Sequence, residues 1–137
     1  MLLDAEKRGD EALAILVEAL SVHPRSPEIQ NSLAYLCAER GENLGEANRL
    51  INEALQASPQ NPAYLDTKGW ILFKLERPFD ALQYLLQAAE RQPNEPIILD
   101  HAGDALSAAG HKEEAVRLWK KSHQISPNPL VEKKFAE

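Results

Sequence analysis

His101 and Asp104 stand three residues apart, with Asp100 beside them and His111 ten residues further on. On a helix, residues at i and i+3 share a face, so an imidazole and carboxylates at this spacing are ingredients of a metal site or an acid–base pair. A catalytic metal site needs about three converging protein ligands and an open position. The sequence offers no His-x3-His pair and no cysteine cluster to complete one. His111 falls in an expected turn, and His23 and His123 fall at expected helix ends, where an imidazolium is stabilised by the helix dipole. Cys37 lies on the packing stripe of its helix. There is no Gly-x-Ser-x-Gly elbow and no glycine-rich phosphate loop after a strand. The chemistry-bearing residues therefore point away from an enzyme, a metal site or a cofactor, and toward a surface that binds.

Bulk properties narrow the kind of surface. Fifteen basic residues against 21 acidic ones give a formal charge of −6, and no run of Lys or Arg exceeds two. That excludes the electrostatic footprint of a nucleic-acid binder. Hydrophobic content of 44% over 137 residues suffices for one folded core. Apolar stretches are broken by charges such as Glu18 and Lys74, so no segment reads as membrane-spanning. Met1-Leu2-Leu3 runs at once into Asp4, Glu6 and Lys7, without the apolar centre of a secretory signal. With Cys37 as the only cysteine, no intrachain disulfide is possible and the redox compartment stays open.

The elements that must position these residues are announced by an internal repeat. Shifted by 34 residues, Leu65, Gly69, Leu72, Ala81, Leu85, Ala88 and Pro93 fall on Leu99, Gly103, Leu106, Ala115, Trp119, Ser122 and Pro127. Ala47, Ile51, Ala54 and Pro59 precede Ala81, Leu85, Ala88 and Pro93 by the same interval. Ala12, Leu16, Ala19 and Pro24 repeat the second half once more, at 35. Small residues at Ala34, Gly69 and Gly103 let paired helices approach, opposite Ala47, Ala81 and Ala115. Ile51, Leu85 and Trp119 are expected to fill the space between successive hairpins. Pro27, Pro62 and Pro96 sit where a helix tolerates proline, near its first position. Turn signals at Arg8-Gly9-Asp10, Gly41 to Gly45, Glu76-Arg77-Pro78 and Gly110-His111 divide the hairpins. The expected helices are 10–23, 27–40, 45–58, 62–75, 78–91, 96–109, 112–125 and 129–136, with a partial helix before residue 8.

This pattern resembles the tetratricopeptide repeat family, whose unit is a pair of antiparallel helices with a small residue in the first, Ala in the second and Pro at the close. The family's opening aromatic is replaced by Gln30, Leu65 and Leu99, and its later Tyr by Cys37, Leu72 and Leu106. The resemblance implies an all-α, right-handed solenoid of antiparallel helix hairpins occupying residues 1–137 as one domain. Its divisions are a partial repeat at 1–26, repeats at 27–61, 62–95 and 96–129, and a terminal capping helix at 130–137, the whole reading as a section of a larger protein. In the last segment Val131 and Phe135 supply an apolar edge, while Glu132, Lys133 and Lys134 are expected to stay wet. Leu2 and Leu3 are expected to belong to a hydrophobic end face, covered by the rest of a parent protein or by a second copy.

The same resemblance implies a concave groove lined by the first helices of the hairpins. Its candidate residues are Asn31, Tyr35, Asp66, Thr67, Trp70, Phe73, Lys74, Asp100, His101 and Asp104. Tyr35, Trp70 and Phe73 are possible anchors for a peptide or protein segment, and the three aspartates favour a basic or amine-bearing partner. Trp70 and Phe73 are equally suited to the core, and both placements stay open. The family's carboxylate clamp for chaperone tails is disfavoured, because its positions hold Asn31, Tyr35, Thr67, Ile97 and His101 with no fixed cation. A structural or self-associating section of a longer solenoid is the alternative to a peptide-binding scaffold, with a metal-dependent enzyme a remote third. The spacing looks like the C-terminal repeats of large bacterial multi-repeat proteins, some of them envelope lipoproteins. The expected location is thus soluble, either periplasmic and envelope-associated or cytoplasmic.

Overall fold

Proline at the first turn starts the helices that open at Pro27, Pro62, Pro78, Pro96 and Pro129, and before Pro27, Pro62 and Pro129 stands a short polar residue. In the computed structural model, which describes residues 2–136 with side chains from Ala5 to Ala136, Ser26 Oγ accepts the Ile29 N–H at 3.3 Å. Asn61 Oδ1 accepts from the N–H groups of Ala63 and Tyr64 at 2.9 and 3.2 Å. Each such bond satisfies a donor that the first turn leaves orphaned. The described residues form eight helices: α1 (Leu2–Val22), α2 (Pro27–Arg40), α3 (Leu44–Ala57), α4 (Pro62–Lys74), α5 (Pro78–Arg91), α6 (Pro96–Ala108), α7 (Lys112–Ile125) and α8 (Pro129–Phe135). From α2 onward each end lies within one residue of its expected place.

Helices pack in antiparallel pairs, α2 with α3, α4 with α5 and α6 with α7, and the pairs stack in order. The helices α2, α4 and α6 also touch one another, whereas among the described residues no contact of similar extent joins α3, α5 and α7. A stack that is closer along one row curves toward that row. The row α2, α4, α6 is therefore the inner, concave side of an all-α solenoid.

Small residues close the hairpins. A Cβ added at Gly69 would lie 2.5 Å from Leu85 Cγ and 3.1 Å from the Ala81 carbonyl oxygen, and one at Gly103 would lie 2.5 Å from two atoms of the Trp119 indole. Leu85 and Trp119 thus press into the first helix of their own hairpin, and both belong to one buried cluster that runs on from α4 to α8. Ala34, Ala47, Ala81 and Ala115 are sealed. Between hairpins, Leu65, Ala88 and Ile98 form a separate buried cluster with Leu55 and Tyr84 against it. Where Ser122 replaces the usual Ala, its Oγ donates to the Pro96 carbonyl at 2.8 Å, so the hydroxyl stitches α7 to α6. Buried Gln30, standing where the family prefers an aromatic, donates to the Pro24 carbonyl at 3.1 Å and Glu53 Oε1 at 3.0 Å.

Two local expectations are corrected. Arg8-Gly9-Asp10 is not a turn, because α1 runs through it unbroken. Arg40 of α2 crosses at this point, donating to Asp10 Oδ1 at 2.6 Å, and a Cβ at Gly9 would meet its Nη1 at 2.7 Å. Gly9 makes room for a guanidinium. Lys134 is not a wet residue of the capping helix either: it reaches back to α6, while Glu132 and Lys133 are exposed as expected. Leu2, Leu3 and Glu137 lie outside the described side chains.

Candidate functional site

The inner row brings Glu39 of α2, Asp66, Trp70, Phe73 and Lys74 of α4, and Asp100, His101 and Asp104 of α6 into one continuous strip. Its acids do not stand free. Trp70 Nε1 donates to Glu39 Oε1 at 2.7 Å, and His101 Nδ1 donates to Asp66 Oδ1 at 2.9 Å. Lys134 Nζ donates to Asp100 Oδ1 at 2.8 Å and to both carboxylate oxygens of Asp104 at 2.9 and 3.1 Å. In each of these ties the acid sits on one helix and its donor on the first helix of the next unit, so the strip is a ladder of polar ties along the stack; Asp104 Oδ1 also accepts from Trp119 Nε1 of its own hairpin at 3.1 Å.

Stacking reinforces the middle rung. The His101 and Trp70 rings are 3.8 Å apart at 14°, Trp70 and Phe73 are 5.1 Å apart at 5°, and Lys74 Nζ lies 5.1 Å from the Trp70 ring centre. Trp70 is only 8% exposed, and its edge-on hydrogen bond satisfies the indole on burial. Of the two aromatics left open between groove and core, Trp70 is placed in the buried middle, and Phe73, half-buried, at its surface.

Electrostatics follow the geometry. Burial raises the Asp104 carboxyl above the ordinary aspartate range, against the pull of Lys134. Burial acts on Lys134 in the opposite sense, but its hydrogen bonds to Asp100 and Asp104 outweigh it and hold the ammonium above the usual lysine value. The Tyr35 hydroxyl is pushed up by burial first and then by the charges of Glu39, Asp66 and Asp100. His101 and Asp104, three residues apart in sequence, go to different partners, Asp66 and Lys134. Among the described residues no group of three or more His, Cys, Asp or Glu is placed to hold a metal.

What the strip leaves open is a cleft of about 490 Å³ at the amino-terminal ends of α4 and α6. Asn31, Tyr35, Asp66 and Thr67 line it, together with Ile97, Ile98, Pro62 and the α5–α6 link at Gln92 and Glu95. Trp70, Phe73, Lys74, Asp100, His101 and Asp104 do not. The expected groove thus divides into a self-tied half and an open half. Thr67 Oγ1 donates to the Ala63 carbonyl at 3.0 Å, but the Asn31 side-chain oxygen, shielded from solvent, has no hydrogen-bond partner among the described residues. An orphaned acceptor of this kind costs about 1–3 kcal/mol. Ile97, which sequence reasoning weighed only as a clamp position, is 52% exposed at the cleft. Its signal was a large aliphatic immediately after a helix-starting proline, on the strip's row.

Comparison with known proteins agrees with this architecture. The tetratricopeptide repeat profile matches residues 3–125. A TPR repeat-containing protein of Pseudomonas aeruginosa is 36% identical over 102 residues, covering 73% of this chain and 17% of its own length. The chain therefore spans about a sixth of that relative. Among solved structures, PilF of Pseudomonas aeruginosa superposes with a TM-score of 0.76 at 22% identity, over 96% of this chain and 60% of that one. A MamA fragment from Desulfovibrio magneticus RS-1 gives 0.73 at 20% identity, over 93% and 72%. At these identities the two structures speak to the fold alone.

Proposed function

The chain belongs to the tetratricopeptide repeat family, and from that premise we propose that it holds a segment of another protein against the inner face of α2, α4 and α6. Repeats of this fold generally mediate protein–protein interaction and are generally non-enzymatic scaffolds. The observation that carries the reading is the polar ladder. Ties from Glu39 to Trp70, Asp66 to His101, and Asp100 and Asp104 to Lys134 preset the inner face, so a partner would meet a surface already ordered and the receptor would lose little entropy. Among the described residues no helix is long and apolar enough to cross a membrane, and the reading needs none.

Photo-crosslinking tests it. With p-benzoylphenylalanine in place of Tyr35, irradiation in an extract of the source organism is expected to give discrete adducts that excess unmodified chain suppresses. The same group in place of Leu86, exposed on the outer helix α5, is expected to give none. Labelling confined to the outer position would remove the inner face from the proposal.

A second reading, an assembly role through the end face, is favoured by one observation on α1. Ala12, Leu16 and Ala19 are half-open, whereas their counterparts in α3, α5 and α7 are closed by the first helix of their hairpin; Ile15 and Val22 beside them are 67% and 65% exposed. Exposed apolar faces of this kind mark contacts. Light scattering distinguishes the readings: on the assembly reading, the chain is a concentration-dependent oligomer that Ile15→Asp with Val22→Asp converts to monomer. A monomer at every concentration leaves the inner face alone.

A further inference from the structure

We infer that the cleft between Asn31 and Ile97 is the seat of the bound segment, and that it takes an extended stretch of chain in which an aliphatic side chain lies beside a lysine or arginine. This rests on the inner-face reading above and moves its centre away from Trp70. Three observations carry it. The first is that the other half of the strip is closed upon itself: Trp70, Asp66 and His101 are each at most 8% exposed, and Asp100 and Asp104 already hold Lys134. A ligand there would have to break ties that the fold itself uses.

The second is charge and surface. The cleft is walled by aliphatic groups at Ile97, Ile98 and Pro62, and no Lys, Arg or His lines it. Its charges are acidic. Asp66 is shared with His101, whereas Glu95, half-buried before the first turn of α6, makes no side-chain capping bond. No ion pair engages Glu95 among the described residues. A cation reaching the rim therefore finds a carboxylate that the fold does not use, and an acidic segment is repelled. The apolar wall asks for a side chain that gains by leaving water.

The third is Asn31. Its side-chain oxygen is turned out of solvent with no donor to accept from among the described residues, while the residue itself borders the cleft. The terminal torsion of an asparagine is soft. A backbone N–H of an extended segment can draw the amide round and supply the missing donor, which a helix, with its own N–H groups engaged, does less well. The orphaned atom is thus relieved in the bound state and not in the free one.

The test is selection from a random heptapeptide phage library on the full chain, with binding of synthetic selected peptides measured by fluorescence anisotropy. Expected are peptides pairing Leu, Ile or Val with Lys or Arg, weakened on the order of tenfold or more by Ile97→Asp and by Glu95→Lys, about one step of 1.4 kcal/mol. Both positions are outside the core, so circular dichroism should show unchanged helicity. Asn31→Ala should weaken binding while leaving the melting temperature equal or higher, since it removes an unsatisfied acceptor; a merely structural asparagine would lower it. Enrichment of acidic peptides, or of nothing above background, overturns the assignment. So does binding indifferent to Ile97→Asp but lost with Phe73→Ala and Lys74→Glu, although the inner-face reading then survives. Binding indifferent to all these changes removes both.

Discussion

Lys68 is the residue whose cost is clearest. It occupies the place taken by Leu33 and Ala102 in the neighbouring repeats, and it is 9% exposed. Its Nζ donates to Asn48 Oδ1 at 2.7 Å and Asn52 Oδ1 at 3.0 Å and lies 5.6 Å from the Tyr84 ring centre, with no carboxylate among its hydrogen-bond partners. Burial lowers its pKa, with Arg77 adding in the same direction. A lysine whose folded pKa is depressed holds its proton less tightly than in the unfolded chain. Stability is therefore reduced at and below neutral pH and recovers as pH rises toward the ordinary lysine value. Lys68→Met keeps the stem and removes the ammonium, and Asn48 and Asn52 remain reachable by water. It is expected to raise stability at pH 7 by about 1 kcal/mol, a gain that shrinks as pH rises and is gone by about pH 10.5. Thermal melts at the two pH values check this, and an unchanged or lower melting temperature at pH 7 counts against it.

At the scale of the element, α8 is held by few groups. It has seven residues, a buried Val131, an edge contact of 5.8 Å between Phe135 and His123, and the Lys134 ties to α6. An isolated helix this short does not persist in water, so docking supports its helicity. Lys134→Met leaves Asp100 and Asp104 together without their counter-charge and is expected to cost about 1–2 kcal/mol at neutral pH. The loss should shrink in acid, because the raised Asp104 pKa means the folded state takes up a proton readily and the repulsion vanishes. At high pH the unmodified chain should follow the variant. Lys134, with its folded pKa above the usual value, contributes stability that is present below that value and disappears as pH climbs through the raised one. Hydrogen exchange of the α8 amides across pH measures both arms; a pH-independent cost would mean the ties are incidental.

At the scale of the molecule, much of the fold was legible because the repeat is enforced by hard contacts. A methyl group at Gly69 or Gly103 collides, and Ala81 and Ala115 have no exposed surface, so residue size repeats with the hairpin. The turn at Gly9 was misread because an isolated helical glycine between charged residues looks like punctuation. Only the position of Arg40, 31 residues away in sequence, reveals what the glycine accommodates. Of the inner strip, the row of side chains was legible and their wiring was not. The family resemblance implied that Asp66, Asp100 and Asp104 face inward, but a carboxylate awaiting a guest and one holding the next repeat carry the same letter. Lys134 escaped for a related reason, since its helical face alone does not say that an acidic pair stands opposite.

The direction of the ladder has a further result. Glu39 needs an indole N–H from the following unit, Asp66 an imidazole, and Asp100 with Asp104 an ammonium. Counting 34 residues on from Trp70 arrives at Asp104, so exchanging the second and third full units would set one acid against another. Units alike in outline are thereby assigned fixed seats, and the order of the stack is written in the side chains that hold it.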